Sequence, residues 1–181
     1  MPPQTFNVFK SLTMKTLIKI LLVPAIAIGF GTGMVQAQQT PKQIEKAAKI
    51  ASLQKAVEGR KYTFVAQYAL PLRGGQKYLT GDYDLRITRD SAIAYLPYFG
   101  RVYMDPPTNP DDAGIMFTAT KFDYKAENRK KGGWDITIVP KNIRYTTKMM
   151  LQVFADGTAY LQVTSYNRDQ ISFNGFVKEN K

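Results

Sequence analysis

Residues 95–103 combine the side chains of this sequence that are best suited to recognising a ligand. Four aromatic rings and one guanidinium group lie within this stretch: Tyr95, Tyr98, Phe99, Tyr103 and Arg101. Rings of this kind give rigid apolar area to a sugar, a lipid or a peptide, while hydroxyl and guanidinium groups fix its orientation. We therefore predict that these five residues form the rim of a ligand-binding concavity.

A structural role for the same stretch is the alternative. Pro97 and Gly100 interrupt regular strand pairing and indicate a bend. The aromatic rings of such a bend can fill the core, and Arg101 can then pair with a carboxylate. Sequence alone leaves both roles open.

Carboxylates supply the remaining candidates for chemistry. Asp82 and Asp84 are two residues apart on a predicted strand, and a carboxylate pair is the minimum needed for glycoside hydrolysis. Arg86 continues the same face, so a solvated ladder of alternating charges is the favoured interpretation. Asp111 and Asp112 lie in a proline-rich loop and could help to bind calcium, but the loop lacks the regular ligand spacing of a known calcium site.

Composition narrows the possible chemistry further. The sequence has no histidine and no cysteine, which excludes Ser-His-Asp triads, Cys-His dyads and sites with histidine or cysteine ligands. We predict a protein that is not an enzyme and needs no cofactor. A carboxylate-dependent hydrolase is the less favoured alternative.

Residues 14–37 have the pattern of a cleavable secretory signal peptide. Lys15 and Lys19 form the positive region, residues 20–28 the apolar region, and small residues precede a predicted cut after Ala37. The apolar run is shorter than the roughly 20 residues of a membrane-spanning helix, although an uncleaved anchor is the alternative. We predict residues 1–37 as extension and signal, and a periplasmic or secreted chain that contains no transmembrane segment.

The excess of positive charge points to the kind of partner. The net charge of +11 becomes +8 when Lys10, Lys15 and Lys19 leave with the signal. This charge favours anionic partners such as lipid head groups or acidic glycans, or simply keeps the protein in solution. Export argues against nucleic acid as a partner. A peripheral contact with the cell envelope is an alternative interaction.

An amphipathic helix is predicted over residues 38–60. Thr40 and Gln43 fit a capping box around Pro41, and Gly59 is placed to end the helix. The apolar positions recur at helical spacing: Ile44, Ala47, Ile50, Ala51, Leu53 and Val57. We expect this face to pack on a sheet rather than lie on a membrane.

Alternating apolar and polar residues then continue through residues 61–181 and predict about eight short strands. The connections are too short for parallel crossovers, so the sheet is antiparallel. We predict a mainly β domain with one curved sheet, either a barrel or a two-layer sandwich, whose open end or edge the helix covers. Trp134 alternates in register with Ile136 and Ile138 and is predicted to point into the core.

Three motifs resemble a family of exported proteins typical of the Bacteroidota, domain of unknown function 4251. They are residues 95–101, residues 131–134, and Asn167-Arg168 followed by Ile171-Ser172 and Gly175. The resemblance extends from about Leu53 to Val177. It implies export and a compact single domain, and it brings no established activity, ligand or catalytic residue.

Together these features predict a non-catalytic binding module of the periplasm or cell surface. Its predicted ligand is apolar or glycan-like, and the positive charge of the chain adds an anionic ligand as an alternative. A structural, envelope-associated protein without a small ligand is the alternative.

Overall fold

The computed structural model describes residues 40–106 and 113–180. They form one helix, α1 (Pro41–Glu58), and ten strands. The strands are β1 (Tyr62–Pro71), β2 (Lys77–Tyr78), β3 (Asp84–Ile87), β4 (Ala92–Leu96), β5 (Ile115–Ala119), β6 (Phe122–Asn128), β7 (Trp134–Pro140), β8 (Thr146–Val153), β9 (Thr158–Ser165) and β10 (Ile171–Glu179).

All ten strands belong to one antiparallel sheet with the order β5-β4-β3-β1-β10-β9-β8-β7-β6, and β2 pairs with β1 beside this path. The first and last long strands, β1 and β10, therefore pair at its centre. Only two residues connect β5 to β6, which are the two ends of the strand order. The sheet is thus nearly closed, and the predicted class of a mainly β protein with a curved antiparallel sheet and one helix is confirmed.

A single core fills the inside of this sheet. Tyr62, Phe64 and Phe173 are its largest fully buried side chains, and the aliphatic residues of every long inner strand join them. Trp134 is only 6% exposed, and Ile136 and Ile138 beside it are buried. The predicted inward orientation of Trp134 is confirmed.

The helix begins as predicted, because the Gln43 side chain accepts a hydrogen bond of 2.9 Å from the Thr40 backbone N–H. Its buried residues are Leu53, Ala56 and Val57, all in the C-terminal half. The predicted apolar face is wrong for Ile44 and Ala47 in the first half of the helix and for Ala51 just past its middle, all of which are exposed. Only the last turns of α1 contact the sheet, so helical periodicity alone overstated the buried length.

A pair of tyrosines ties the end of the helix to the sheet. The hydroxyl groups of Tyr62 in β1 and Tyr124 in β6 are 3.3 Å apart, and Tyr124 donates a hydrogen bond of 3.3 Å to the Val57 carbonyl. Burial raises the pKa of Tyr62 well above its usual value. Its hydroxyl therefore stays protonated and keeps this contact at neutral pH.

Two register shifts change which side chains face the core. Simple alternation places Tyr68 and Thr147 inside, but the pairing shifts at Gln67 in β1 and again at Thr147 in β8. Beyond the first shift Ala69 is buried, and at the second Thr146 is buried. Each extra residue reverses the phase of the strand, so a single alternation does not hold along the whole of β1 or β8.

Candidate functional site

The outer face of β4 carries the first predicted rim residue, Tyr95. Ala94 and Leu96 on either side are buried, so alternation turns Tyr95 outward, where it is 48% exposed. Its ring stacks on that of Tyr83, with ring centroids 5.6 Å apart and planes at 17°. Met116 lies opposite Tyr95 in β5 and is 45% exposed. Strand register thus gathers apolar side chains on this face.

A cleft of about 360 Å³ opens beside the stacked pair. Its lining is entirely uncharged and comes from β4, β5, the loops next to them and the residue before β3: Tyr83, Tyr95, Pro97, Tyr98, Ala113, Gly114 and Met116. Two of the five predicted rim residues, Tyr95 and Tyr98, are in this lining. Sequence reasoning missed Tyr83 and Met116, because Met116 lies opposite Tyr95 only through the register of β4 with β5, which the long connection between these strands does not fix.

Tyr98 forms the inner wall of the cleft and braces its own loop. Its hydroxyl lies 2.9 Å from the carbonyl of Arg101 and 3.0 Å from that of Asp169, so its single proton is donated to one of the two or shared between them. The guanidinium carbon of Arg168 lies 4.8 Å from the ring centroid. Burial raises the pKa of Tyr98 to about 12. The hydroxyl is therefore a permanent donor at neutral pH.

The turn after β9 holds the other side of the cleft in place. Arg168 Nη1 donates to the carbonyls of Ala113 and Gly114, both at 3.2 Å, which fixes the backbone that enters β5. Asn167 is fully buried, and its backbone carbonyl accepts a hydrogen bond of 2.7 Å from the N–H of Tyr103. These contacts make the cleft a preformed feature of the fold.

The remaining predicted rim residues lie outside the lining. Phe99 is half-buried, with the Lys77 ammonium 5.4 Å from its ring centroid. The side chain of Arg101 is exposed. Tyr103 is 63% exposed and donates a hydrogen bond to the Asp169 carboxylate, which raises the pKa of the tyrosine. The structure therefore brings Tyr95 and Tyr98 together and leaves these three residues around the outside of the loop.

The structure describes two of the four carboxylate candidates, Asp82 and Asp84. Asp82 precedes β3, so the prediction that Asp82 and Asp84 share one strand face is wrong. Asp84 instead forms an ion pair of 3.2 Å with Arg86, which agrees with the favoured interpretation of alternating charges. Asp111 and Asp112 lie outside the described residues.

Neither a cluster of metal ligands nor a membrane-spanning helix is found in the described part of the chain. Residues 40–106 and 113–180 hold no group of three or more acidic side chains placed to bind a metal ion. Within the same ranges, no helix has the length and apolar character needed to cross a bilayer.

Comparison with known proteins identifies the family. The model of the family described as domain of unknown function (DUF4251) matches residues 44–177. A crystal structure of a DUF4251 family protein from Bacteroides eggerthii DSM 20697 has a similar fold, with a TM-score of 0.57 and 13% sequence identity over 74% of this chain and 91% of that chain. Among curated proteins, none matches the sequence. Since the family match covers most of its length, this chain belongs to the DUF4251 family.

Proposed function

We propose that this protein is an exported, non-catalytic binding module that holds a small glycan-like ligand in the cleft beside Tyr83 and Tyr95. The observation that carries the proposal is the stacked and partly exposed tyrosine pair at the mouth of a preformed cleft. Aromatic side chains exposed in a concave, braced site are costly unless they bind something.

The lining favours a ring with one apolar face and polar edges. Tyr95 and Met116 offer exposed apolar area, while the tyrosine hydroxyl of Tyr83 and the nearby backbone can hydrogen-bond to hydroxyl groups. A sugar ring has this combination. A wholly apolar ligand would leave the polar groups of the cleft without partners.

The same lining supports binding without catalysis. Among the described residues that line the cleft, tyrosine is the only titratable type, and burial raises the pKa of Tyr98 to about 12. A general base needs a pKa near the working pH. The strand beside the cleft, β3, carries one carboxylate, Asp84, which is engaged in an ion pair with Arg86.

Replacing Tyr95 with alanine should weaken sugar binding about tenfold, because one stacking surface is lost while the braced loop stays intact. Saturation-transfer NMR with cellobiose, xylobiose and a muropeptide disaccharide measures the contact directly. Tyr166→Ala is the matched control, since Tyr166 is 52% exposed and its ring likewise contacts another tyrosine, Tyr145, at 5.7 Å. Equal saturation transfer to the sugar from the wild type and from Tyr95→Ala would contradict the proposed site.

Export is the second part of the proposal and rests on residues 14–37, which lie outside the described residues. The order of basic, apolar and small residues ending at Ala37 supports signal-peptidase cleavage. N-terminal sequencing of the protein from its native host should give Gln38, open or cyclised to pyroglutamate. A mature chain that still contains Leu21 would rule out cleavage at this position.

A further inference from the structure

A second row of side chains crosses the outer face of the sheet, away from the Tyr83–Tyr95 cleft. Its members are direct partners on neighbouring strands, running from β2 through β1, β10 and β9 to β8: Tyr78, Tyr68, Asn174, Tyr160 and Gln152. Their sequence neighbours Ala69, Phe173 and Ala159 are buried, which places the row on the outside. We name these five residues the tyrosine–amide row.

The middle of the tyrosine–amide row is concave. A cleft of about 480 Å³ lies over Tyr68, Asn174 and Tyr160, and Phe154, Gln67 and Gln76 also line it. The register shift at Gln67 contributes to this shape, because it turns two successive residues of β1, Gln67 and Tyr68, towards the same face.

The amides of this region are open to a ligand. No hydrogen bond between described residues uses the side-chain amide of Gln152 or Asn174, or those of Gln67 and Gln76 in the same cleft. The tyrosines, in contrast, are held in place. Tyr160 donates a hydrogen bond of 2.7 Å to Ser172 Oγ, and Tyr68 contacts Tyr78 edge to face with ring centroids 5.3 Å apart. Fixed rings and unengaged amides therefore alternate from Tyr68 to Gln152, and a second ring, Tyr78, extends the row at the β2 end.

Charge is absent from the row although it is common in the chain, which has 25 basic and 14 acidic residues. The next partner of Gln152 is Asp135 in β7, so charge returns at the end of the row. Another outer cleft, of about 610 Å³, is lined by Asp84, Arg86, Lys178 and Glu179. The tyrosine–amide row is thus an uncharged strip on a charged surface.

We propose that the tyrosine–amide row is a second binding site, for an extended neutral oligosaccharide that lies across the strands. Amide groups both donate to and accept from sugar hydroxyls, and tyrosine rings pack against the apolar faces of sugars. Five strands at a spacing of about 4.8 Å give a row about 19 Å long, enough for several sugar units. The site shares no residue with the Tyr83–Tyr95 cleft and does not depend on the function proposed for that cleft.

Isothermal titration calorimetry of the chain from Gln38 onwards tests the proposal. The ligands are three neutral sugars, cellohexaose, xylohexaose and mannohexaose, and the acidic hexagalacturonate. At least one neutral hexasaccharide should bind, and the double variant Gln152→Ala/Asn174→Ala should weaken that binding about tenfold or more. Tyr166→Ala is the control and should leave it unchanged, since Tyr166 is 52% exposed and lines neither of the two clefts. Both side chains of the double variant are partly exposed, so thermal melting should match the wild type.

A measurement on the unaltered protein keeps the test independent of folding of the variant. The side-chain amide signals of Gln152 and Asn174 in ¹⁵N-edited NMR spectra should shift when the neutral hexasaccharide is added. Four results would overturn the proposal: no neutral sugar binds, only hexagalacturonate binds, these signals do not shift, or the double variant binds as the wild type does. Loss of binding in Tyr95→Ala alone would also overturn it, since the sugar would then lie in the other cleft.

Discussion

Replacing Trp134 with alanine should lower the free energy of unfolding by about 3 to 5 kcal/mol, the usual cost of deleting a large buried ring. The indole is 6% exposed at the start of β7, where Asn128 and Val153 are its partners on the neighbouring strands. With Val57 and Tyr124 it lines the junction between α1 and the sheet. Alanine would leave a cavity there that the sheet cannot close without moving the helix.

Urea melts followed by far-UV circular dichroism measure this loss, because the variant lacks the chain's single tryptophan and has no indole fluorescence. Tyr78→Ala is a suitable control, since its ring is 68% exposed and its removal should change stability by only about 0.5 kcal/mol. A loss below about 1 kcal/mol in Trp134→Ala would place the indole at the surface.

Gly175→Ala should destabilise the domain by about 3 kcal/mol or more, because the added methyl group has no space at the centre of the sheet. A Cβ at this position would lie 1.9 Å from the carbonyl oxygen of Val65 and 3.2 Å from the Cα of Ala66. Both are backbone atoms of β1 and cannot turn aside as a side chain can. The strands must separate at the register shift to admit even one methyl group, which lowers the melting temperature by roughly 10 °C.

Gly74→Ala separates this steric effect from ordinary glycine strain. Gly74 has a φ of +93° and no other atoms within 4 Å of an added Cβ, so alanine there should cost only about 1 kcal/mol. Differential scanning calorimetry of the two variants gives the comparison. If Gly175→Ala melts no lower than Gly74→Ala, β1 and β10 are not packed as closely as the structure shows.

Much of the fold could be predicted because the buried strands alternate clearly. β6 could not, since Phe122–Asn128 is rich in charged residues and is exposed along most of its length. It lies at one end of the sheet, where charged side chains discourage pairing with other chains. Such a strand is specified by its partner β7 rather than by its own pattern. β2, with two residues, is too short for any pattern to show.

The candidate site was predictable only in part, for a related reason. The aromatic stretch around Tyr95 and Tyr98 is visible in the sequence because its members are close together. Tyr83 is brought to Tyr95 by the pairing of β3 with β4, a register that the sequence of either strand alone does not give. The tyrosine–amide row was equally hidden, because its five members come from five strands and meet only through register.

The pairing of β1 with β10 governs when this chain can fold. Pro71 pairs with Ile171, so closing the middle of the sheet brings together segments about a hundred residues apart, at a cost in loop entropy that local hairpins do not carry. Until β10 is available, β3 to β5 and β6 to β9 are two separate groups of strands that lack a shared core. The sheet therefore cannot close around its single core before β10 has been synthesised, and each group of strands stays without its final packing until that point.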